Sequence, residues 1–243
     1  MSGHSKWATI KRQKGAADLK RGLTFTKISN AITIAVKKGG GITDVNNNFR
    51  LRLTVEAARA NNMPKENIER AIQRAAGKEG GTVTEVTYEG FAPEGVSVII
   101  EAVTDNAQRT TSEIKSVFNK EGANFGRPGS VSYQFDKKGR LVVSKEQKSL
   151  DELFEAVLES GAEDIEETKD NKVIITTSFS SLSEVQDKLL GKGIKIEEAS
   201  IIRKPLAFIS ISDTEKLERV NNFIKRIEEL DDVQKVYSNL EVH

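Results

Sequence analysis

The sequence predicts an α+β protein in which a helical N-terminal third precedes two units of alternating strands and helices. Apolar residues recur at helical spacing up to about residue 77. Beyond that point the two-residue spacing of strands dominates, interrupted by further helical stretches. The charge changes at the same place. Residues 1–78 hold 16 lysines and arginines against five acids, a formal charge of +11, and the remainder carries −10, although the whole chain is +1.

Three helices are expected in the N-terminal third. The first has the apolar stripe Phe25, Ile28, Ile32 and Val36 and ends at the Gly39-Gly40-Gly41 loop. The second is expected over about 47–60, with the stripe Phe49, Leu53, Ala57 and Ala60. The third begins at Pro64, ends at Gly77 and buries Ile68, Ile72 and Ala75. The segment before Asp18 shows no clear apolar face, so we expect an arm that a partner orders.

The rest of the chain alternates between strands and helices. A hairpin of strands at 86–88 and 96–102 precedes a helix over about 106–121 and a strand at 131–135. Residues 140–203 follow the order strand, helix, strand, strand, helix, strand. Capping boxes are expected at Ser149 with Glu152, at Ser181 with Glu184 and at Ser212 with Glu215. A strand at Leu206 and Phe208, the helix that follows Ser212 and a strand over 233–240 complete the chain.

The order within 140–203 is that of a ferredoxin-like unit, and the strand–helix–strand pieces on either side of it can form a second one. The predicted fold is therefore an N-terminal three-helix bundle followed by two ferredoxin-like α/β-sandwich units, one inserted in the other. The predicted domains are a basic helical domain over 1–79, a discontinuous domain over 80–137 plus 204–243, and an inserted domain over 138–203.

Composition argues against several classes of protein. The chain has no cysteine and two histidines, His4 and His243, so it offers no disulfide framework, thiol nucleophile or zinc cluster. No constellation of nucleophile and base is present, and we expect neither an enzyme nor a bound cofactor or metal. No apolar run approaches the length of a membrane span, and the basic N-terminus lacks the apolar core of a secretory signal. We expect a cytoplasmic protein without a membrane partner or an evident small-molecule substrate.

The basic N-terminal third indicates a nucleic-acid partner, either DNA or ribosomal RNA. Trp7 lies among bases and can stack on a nucleotide or pin the arm to the bundle. Arg70 and Arg74, one helical turn apart, can bind phosphate or form a solvated face with Glu66 and Glu69 as partners. The residues predicted to bind nucleic acid are His4, Ser5, Lys6, Trp7, Lys11, Arg12, Lys14, Lys20, Arg21, Lys27, Arg70 and Arg74.

Two further polar motifs allow either a structural or a functional interpretation. Thr104-Asp105-Asn106 with Arg109-Thr110 can bind an anion at a helix N-terminus, but helix capping is the favoured interpretation. The glycines at 122, 126 and 129 around Arg127-Pro128 match no nucleotide fingerprint and precede a strand, which favours an ordinary loop.

Motifs along the chain resemble those of the YebC family. They are Gly3-His4-Ser5-Lys6-Trp7, Lys20-Arg21-Gly22 with Phe25-Thr26-Lys27, Asn62-Met63-Pro64-Lys65, Asn67-Ile68-Glu69-Arg70-Ala71-Ile72, Tyr88-Glu89-Gly90, Thr104-Asp105-Asn106 with Arg109-Thr110, and Gly129-Ser130-Val131. The resemblance implies a helical N-terminal domain, two α+β domains and control of gene expression through nucleic acid. Gln13-Lys14-Gly15 departs from many relatives, which are more basic there or carry alanine.

The resemblance leaves two functions open. Bacterial members are customarily labelled DNA-binding transcriptional regulators. Other members, including the mitochondrial translational activator of cytochrome c oxidase, act in translation, and bacterial relatives are linked to ribosomes stalled on proline-rich sequences. The absence of a base-reading motif favours structured ribosomal RNA, and the customary label favours DNA. A ligand-sensing module is a third class, for which the sequence shows no pocket signature.

Overall fold

The computed structural model describes residues 6–77, 83–145, 149–168 and 170–241, with only the backbone described for residues 6–20 and Leu150. This part of the chain forms seven α-helices and two four-stranded antiparallel sheets. The helices are α1 (Lys6–Lys38), α2 (Phe49–Ala60), α3 (Lys65–Ala76), α4 (Ala107–Glu121), α5 (Leu150–Ser160), α6 (Leu182–Gly191) and α7 (Thr214–Glu228). The strands are β1 (Thr84–Phe91), β2 (Ser97–Thr104), β3 (Asn124–Phe125), β4 (Phe135–Ser144), β5 (Asp164–Glu167), β6 (Lys172–Ser178), β7 (Ile196–Pro205) and β8 (Val233–Ser238).

The three N-terminal helices pack around a shared apolar core. Its buried members include Ile32, Val36, Leu51, Val55 and Ile68. The structure extends α1 back to Lys6, through the segment for which the sequence predicts a separate arm. That segment is rich in alanine, lysine and arginine, which favour helix, so its backbone can continue the helix without an apolar face of its own. Gly77 ends α3 as expected, and Pro64 is its N-cap.

Helix α2 is buried on two faces, which corrects its predicted stripe. Leu51 and Val55 pack in the bundle core, whereas Leu53 packs among the buried residues of the β4–β7 sheet. Ala57 and Ala60, expected in the core, are exposed. A single-stripe pattern cannot describe a helix that lies between two layers, because each layer takes its own set of side chains.

The first sheet has the strand order β3-β1-β2-β8. Its register places Tyr88 opposite Ile100, and Ile100 opposite Val236. Helices α4 and α7 cover it, and Phe118 of α4 meets Phe223 of α7 edge-on with 4.9 Å between ring centroids. The strand β8 therefore returns from the end of the chain to pair with β2.

The second sheet has the strand order β5-β6-β4-β7 and is covered by α5 and α6. Its buried core includes Leu141, Val143, Leu153, Ile175 and Leu182. The chain order β4-α5-β5-β6-α6-β7 is the alternation that the sequence predicts for this region. The domain boundaries drawn from that alternation stay a prediction.

Two predicted strands were wrong. Residues 132–134 form a short 3₁₀-helix, and Phe135 begins β4 of the second sheet instead of ending a strand of the first. The expected strand at Leu206 and Phe208 is absent, since both side chains are exposed and only Ile209 forms a bridge, to Leu240. In place of these strands, β4 and β7 pair from Phe135↔Pro205 inward to a shift of register at Val142/Val143, which uses residues on both sides of the predicted boundaries.

The predicted helix caps have different outcomes. The capping box of Ser149 with Glu152 is confirmed. Ser181 makes no cap bond; its hydroxyl instead accepts a hydrogen bond from Ser178 at 2.8 Å. Ser212 is replaced as the cap by Asp213, whose carboxylate accepts from the backbone N–H groups of Glu215 and Lys216.

No helix among the described residues has the length and apolar character needed to cross a membrane. Within the same ranges, no cluster of three or more His, Cys, Asp or Glu side chains could hold a metal ion.

Candidate nucleic-acid interface and central cleft

Most of the predicted binding residues belong to the N-terminal half of α1. Lys6, Trp7, Lys11, Arg12, Lys14 and Lys20 occupy positions on its backbone. His4 and Ser5 lie outside the described residues. Arg21, the next predicted residue, is exposed on the same helix. With Lys27, the structure thus places seven of the predicted bases and the tryptophan on one continuous helix.

Arg70 and Arg74 line a shallow polar cleft between α1 and α3. The cleft has a volume of about 260 Å³, and its other polar lining residues are Thr26, Ser29, Asn30 and Asn67. Both arginines are exposed. This surface, which we call the α1/α3 cleft, combines two guanidinium groups with amide and hydroxyl donors, the groups that contact phosphate oxygens in nucleic-acid complexes.

The local acids do not neutralise these arginines. Glu69 pairs with Lys65 at 3.6 Å. Over the described residues, Arg70 and Arg74 form neither an ion pair nor a hydrogen bond with the protein, and Glu66 pairs with neither. Phosphate binding and a solvated face therefore both stay open as interpretations of this surface.

Lys27 lies on a different side of α1. Its ammonium group donates to the backbone carbonyl of Glu228 at 2.6 Å. Burial at this contact lowers the pKa of Lys27, and the nearby charges of Glu228 and Asp231 oppose that shift. The structure therefore separates Lys27 from Arg70 and Arg74 and places it where the bundle meets α7.

Other bases of the bundle face the acidic part of the chain. Lys38 and Arg50 both approach Glu85, at 3.5 and 3.9 Å. Arg52 donates to Ser183 Oγ at 3.2 Å and lies 3.9 Å from Asp187. Some positive charges of the bundle are thus paired with acids of the rest of the chain, where the bundle packs against the two sheets.

The polar motif at the start of α4 caps the helix, as the sequence predicts. Asn106 accepts a hydrogen bond from the backbone N–H of Arg109 at 3.1 Å. The motif also holds an anion, but that anion is the protein's own Asp232. Its carboxylate accepts from Thr110 Oγ1 at 2.6 Å and from Arg109 at 2.9 Å.

The glycine-containing loop after β3 likewise surrounds an internal carboxylate. Glu89 accepts hydrogen bonds from the backbone N–H groups of Gly129, Val131 and Ser132, each at 2.8 Å. Burial raises the pKa of Glu89, but these bonds outweigh it and hold the pKa below its ordinary value. The anion that this loop binds is therefore the protein's own Glu89 carboxylate.

A larger cleft lies where the bundle meets both sheets. Its volume is about 560 Å³, and we call it the central cleft. Six cationic side chains line it: Lys27, Lys38, Arg50, Lys137, Arg203 and Lys235. Two carboxylates, Glu85 and Glu101, also line it. Sequence reasoning missed Lys137, Arg203 and Lys235, because they come from β4, β7 and β8 and meet only through long-range pairing.

The charges of the central cleft affect one another. Arg203 Nε is 3.1 Å from Glu101 Oε1. Partial desolvation lowers the pKa of Lys137, and repulsion from Arg50 and Arg203 lowers it further. The cations that line the cleft thus come from the bundle and from both sheets.

These features define a mixed α/β protein with a basic helical bundle and two four-stranded antiparallel sheets. Residues 5–78 match the family model described as the TACO1/YebC protein N-terminal domain, and residues 83–240 match that of the TACO1/YebC second and third domain. The chain belongs to the TACO1/YebC family, which confirms the resemblance seen in the sequence.

Relatives and a solved structure agree with this membership. Proteins named probable transcriptional regulatory protein are 47% identical in Syntrophus aciditrophicus and 44% identical in Persephonella marina, over 100% of this chain and 96% of each relative. The crystal structure of a conserved hypothetical protein from Aquifex aeolicus superposes with a TM-score of 0.84 at 43% identity, covering 93% of this chain and 92% of that one.

Proposed function

We propose that this protein is a non-enzymatic regulator of gene expression that binds the phosphate backbone of nucleic acid through its basic N-terminal bundle. The relatives' name, probable transcriptional regulatory protein, supports the regulatory role. The observation that carries the binding role is the pair Arg70 and Arg74, exposed beside a polar cleft and without an acid partner among the described residues.

Other bases of the bundle differ from Arg70 and Arg74 in having partners within the described part of the molecule. Lys38, Arg50 and Arg52 face Glu85, Ser183 and Asp187 within the molecule. The α1/α3 cleft is lined by none of these three residues, and its α1 members Thr26, Ser29 and Asn30 follow the basic N-terminal half of that helix. A phosphate backbone that follows α1 would meet Arg70, Arg74 and the bases of the first 21 residues in succession.

The first turn of α3 argues against reading of bases by this helix. A recognition helix contacts base edges with its N-terminal residues. In α3 those residues include Glu66, and Lys65 is already paired with Glu69. A carboxylate at that point would repel the phosphates that flank a groove. The second candidate function, a ribosome-associated translation factor that binds ribosomal RNA and relieves stalled translation, fits this backbone-based binding as well as a DNA-binding transcriptional regulator does.

One titration tests the interface and separates the two targets. The full chain and the Arg70→Gln/Arg74→Gln variant are titrated against a labelled DNA duplex and a structured RNA hairpin of equal length, at several salt concentrations. Each lost phosphate contact on duplex DNA should reduce the log–log salt slope by about 0.9, so the double variant should lose about two. Tighter binding of the hairpin would favour the translation function, and tighter binding of the duplex would favour transcription.

The matched control is Arg219→Gln/Lys225→Gln, which also removes two positive charges, from exposed positions on α7. It should bind like the parent protein. Equal losses in this control and in the Arg70→Gln/Arg74→Gln variant would show that net charge alone matters, and the α1/α3 cleft would then not be the interface. Point variants are preferred to deletion of the bundle, because Leu53 of α2 helps to fill the core of the second sheet.

We further infer that the two sheets belong to two ferredoxin-like domains. The order β5-β6-β4-β7, with two helices on one face, supports an inserted domain, and the pairing of β2 with β8 supports a discontinuous one around it.

A further inference from the structure

The central cleft has features that the bundle's proposed role does not use. It lies between α1, α2 and the strands of both sheets, apart from the α1/α3 cleft. Its volume of about 560 Å³ is within the range of about 300–1,000 Å³ that small-molecule sites occupy. Six cationic side chains and two carboxylates line it, so the lining carries a formal excess of positive charge.

The carboxylates already have partners. Glu85 is shared between Lys38 and Arg50, and Glu101 binds Arg203. Lys137 is left with an aromatic contact, its ammonium lying 4.0 Å from the ring centroid of Phe179. Within the described part of the chain it forms no ion pair.

The rest of the lining suits a ligand with a less polar body. Ile28, Ala31 and Ile34 of α1 and Leu53 of α2 form an apolar wall, and Val103 of β2 also lines the cleft. Gln234, on β8, also lines the cleft, and its buried Nε2 has no hydrogen-bond partner among the described residues. An unused buried amide donor costs free energy unless a ligand accepts its hydrogen bond.

We propose that the central cleft binds an organic phosphate, whose phosphoryl groups contact Arg50, Lys137 and Arg203 and whose less polar body lies against the apolar wall. Two sources can supply this chemistry. One is a free nucleotide, and the other is the phosphorylated end of a nucleic-acid strand. The ligand would touch the bundle and both sheets at once, so its binding would stabilise their mutual packing.

The test uses the full chain and ATP as the probe, with adenosine as the probe that lacks phosphate. Calorimetric titration should show binding of ATP and at least tenfold weaker binding of adenosine, and saturating ATP should raise the melting temperature. Lys137→Met and Arg203→Gln should each weaken ATP binding at least tenfold. Lys137→Met keeps the aliphatic stem, so its own melting temperature should stay near that of the parent protein.

Lys138→Met is the matched control. Lys138 is the next residue of β4, and its ammonium binds Glu163 at 2.9 Å, outside the lining of the central cleft. It should bind ATP like the parent protein. If Lys137→Met binds as tightly as Lys138→Met, or ATP binds no better than adenosine and no strand end binds either, the proposal is wrong.

The second arm identifies the source. A short single-stranded oligonucleotide with a 5′-phosphate is compared with the same strand ending in a 5′-hydroxyl. Preference for the 5′-phosphate that is lost in Lys137→Met would assign the cleft to a strand end, whereas binding of ATP without such a preference would assign it to a free nucleotide. The Arg70→Gln/Arg74→Gln variant should keep its ATP affinity, so failure of the α1/α3 interface and failure of this proposal would be seen separately.

Discussion

Arg109 donates a hydrogen bond to the carboxylate of Asp232 at 2.9 Å, joining residues that lie 123 positions apart in the chain. Thr110 donates to the same carboxylate oxygen at 2.6 Å. The polar motif at the start of α4 thus fixes the turn between α7 and β8, where Asp232 also accepts from the N–H of Val103 through its backbone carbonyl. This motif, whose sequence would also suit an external anion, thus binds Asp232 and holds the start of α4 against the turn that leads into β8.

Asp232→Asn should destabilise the protein in a pH-dependent way. Burial raises the pKa of Asp232, but the hydrogen bonds from Thr110 and Arg109 outweigh it and lower the pKa below its ordinary value. A lowered pKa contributes stability that is present above the unfolded pKa of about 3.9 and is lost as the pH falls through the folded value. At pH 7 the free energy of unfolding, measured in urea, should therefore be about 1.5–3 kcal/mol lower in the variant than in the parent protein. This difference between the two proteins should become smaller below about pH 4.

Asp105→Asn is the control for this prediction. Asp105 binds the same guanidinium at 3.0 Å but is exposed. Its removal should cost little at any pH, because exposed ion pairs contribute about 0–1 kcal/mol. If the two variants lose equal stability, the buried carboxylate has no special role.

Glu89→Gln should loosen the loop after β3. The substitution keeps the shape of the side chain but points an amide N–H₂ group at backbone donors. One or two of the N–H groups of Gly129, Val131 and Ser132 then lose their acceptor. We expect a loss of about 1–3 kcal/mol and faster amide hydrogen exchange at these three residues. Glu113→Gln, at an exposed position of α4, should change neither; unaltered exchange in Glu89→Gln would refute the loop assignment.

The sequence predicts local structure well and long-range contacts poorly. The caps at Asn106 and Ser149 are found as expected, because their hydrogen bonds join residues three apart. The predicted cap at Ser212 fails because Asp213 competes for the same N–H groups. The stripe of α2 was wrong for a different reason, since Leu53 is buried by the second sheet, which the helix meets only in the folded chain.

The candidate sites follow the same division. Arg70 and Arg74 can be paired from sequence, because one helical turn places them together. The position of Lys27 against α7 cannot be predicted from sequence, because its partner Glu228 lies 201 positions away. Lys137 lies in a run of charged residues on β4, and only the pairing of the strands decides that it enters the central cleft while Lys138 does not.

Substituting alanine for Lys6, Lys11, Arg12 and Lys14 together should weaken nucleic-acid binding without destabilising the fold. Each lost phosphate contact flattens the salt slope on duplex DNA by about 0.9, and the loss should be similar for different sequences. Alanine favours helix at least as well as lysine or arginine, so the melting temperature should change little. Normal binding combined with a much lower melting temperature would assign these four residues to the fold instead of the interface.

Trp7→Ala separates the two roles considered for the tryptophan. If the ring stacks on a nucleotide, affinity should fall by about 1–3 kcal/mol while the melting temperature is kept. If the ring anchors the N-terminal half of α1, both should fall together. Thermal unfolding and anisotropy titration of the same sample distinguish these results.

The last prediction concerns the inserted domain. A fragment of residues 135–205 should unfold cooperatively when expressed alone, because it holds all of β4 to β7 and the helices α5 and α6. It should be more stable than the fragment 140–203 that the sequence pattern defines. The longer fragment keeps the paired ends of β4 and β7, from Phe135↔Pro205 to Gly139↔Ile201, which the shorter one cuts away. Both expose the apolar surface that Leu53 covers, so this loss cancels in the comparison. Urea unfolding followed by circular dichroism measures the difference. A non-cooperative transition in the longer fragment would show that the second sheet depends on the rest of the chain, and the insertion prediction would then be wrong.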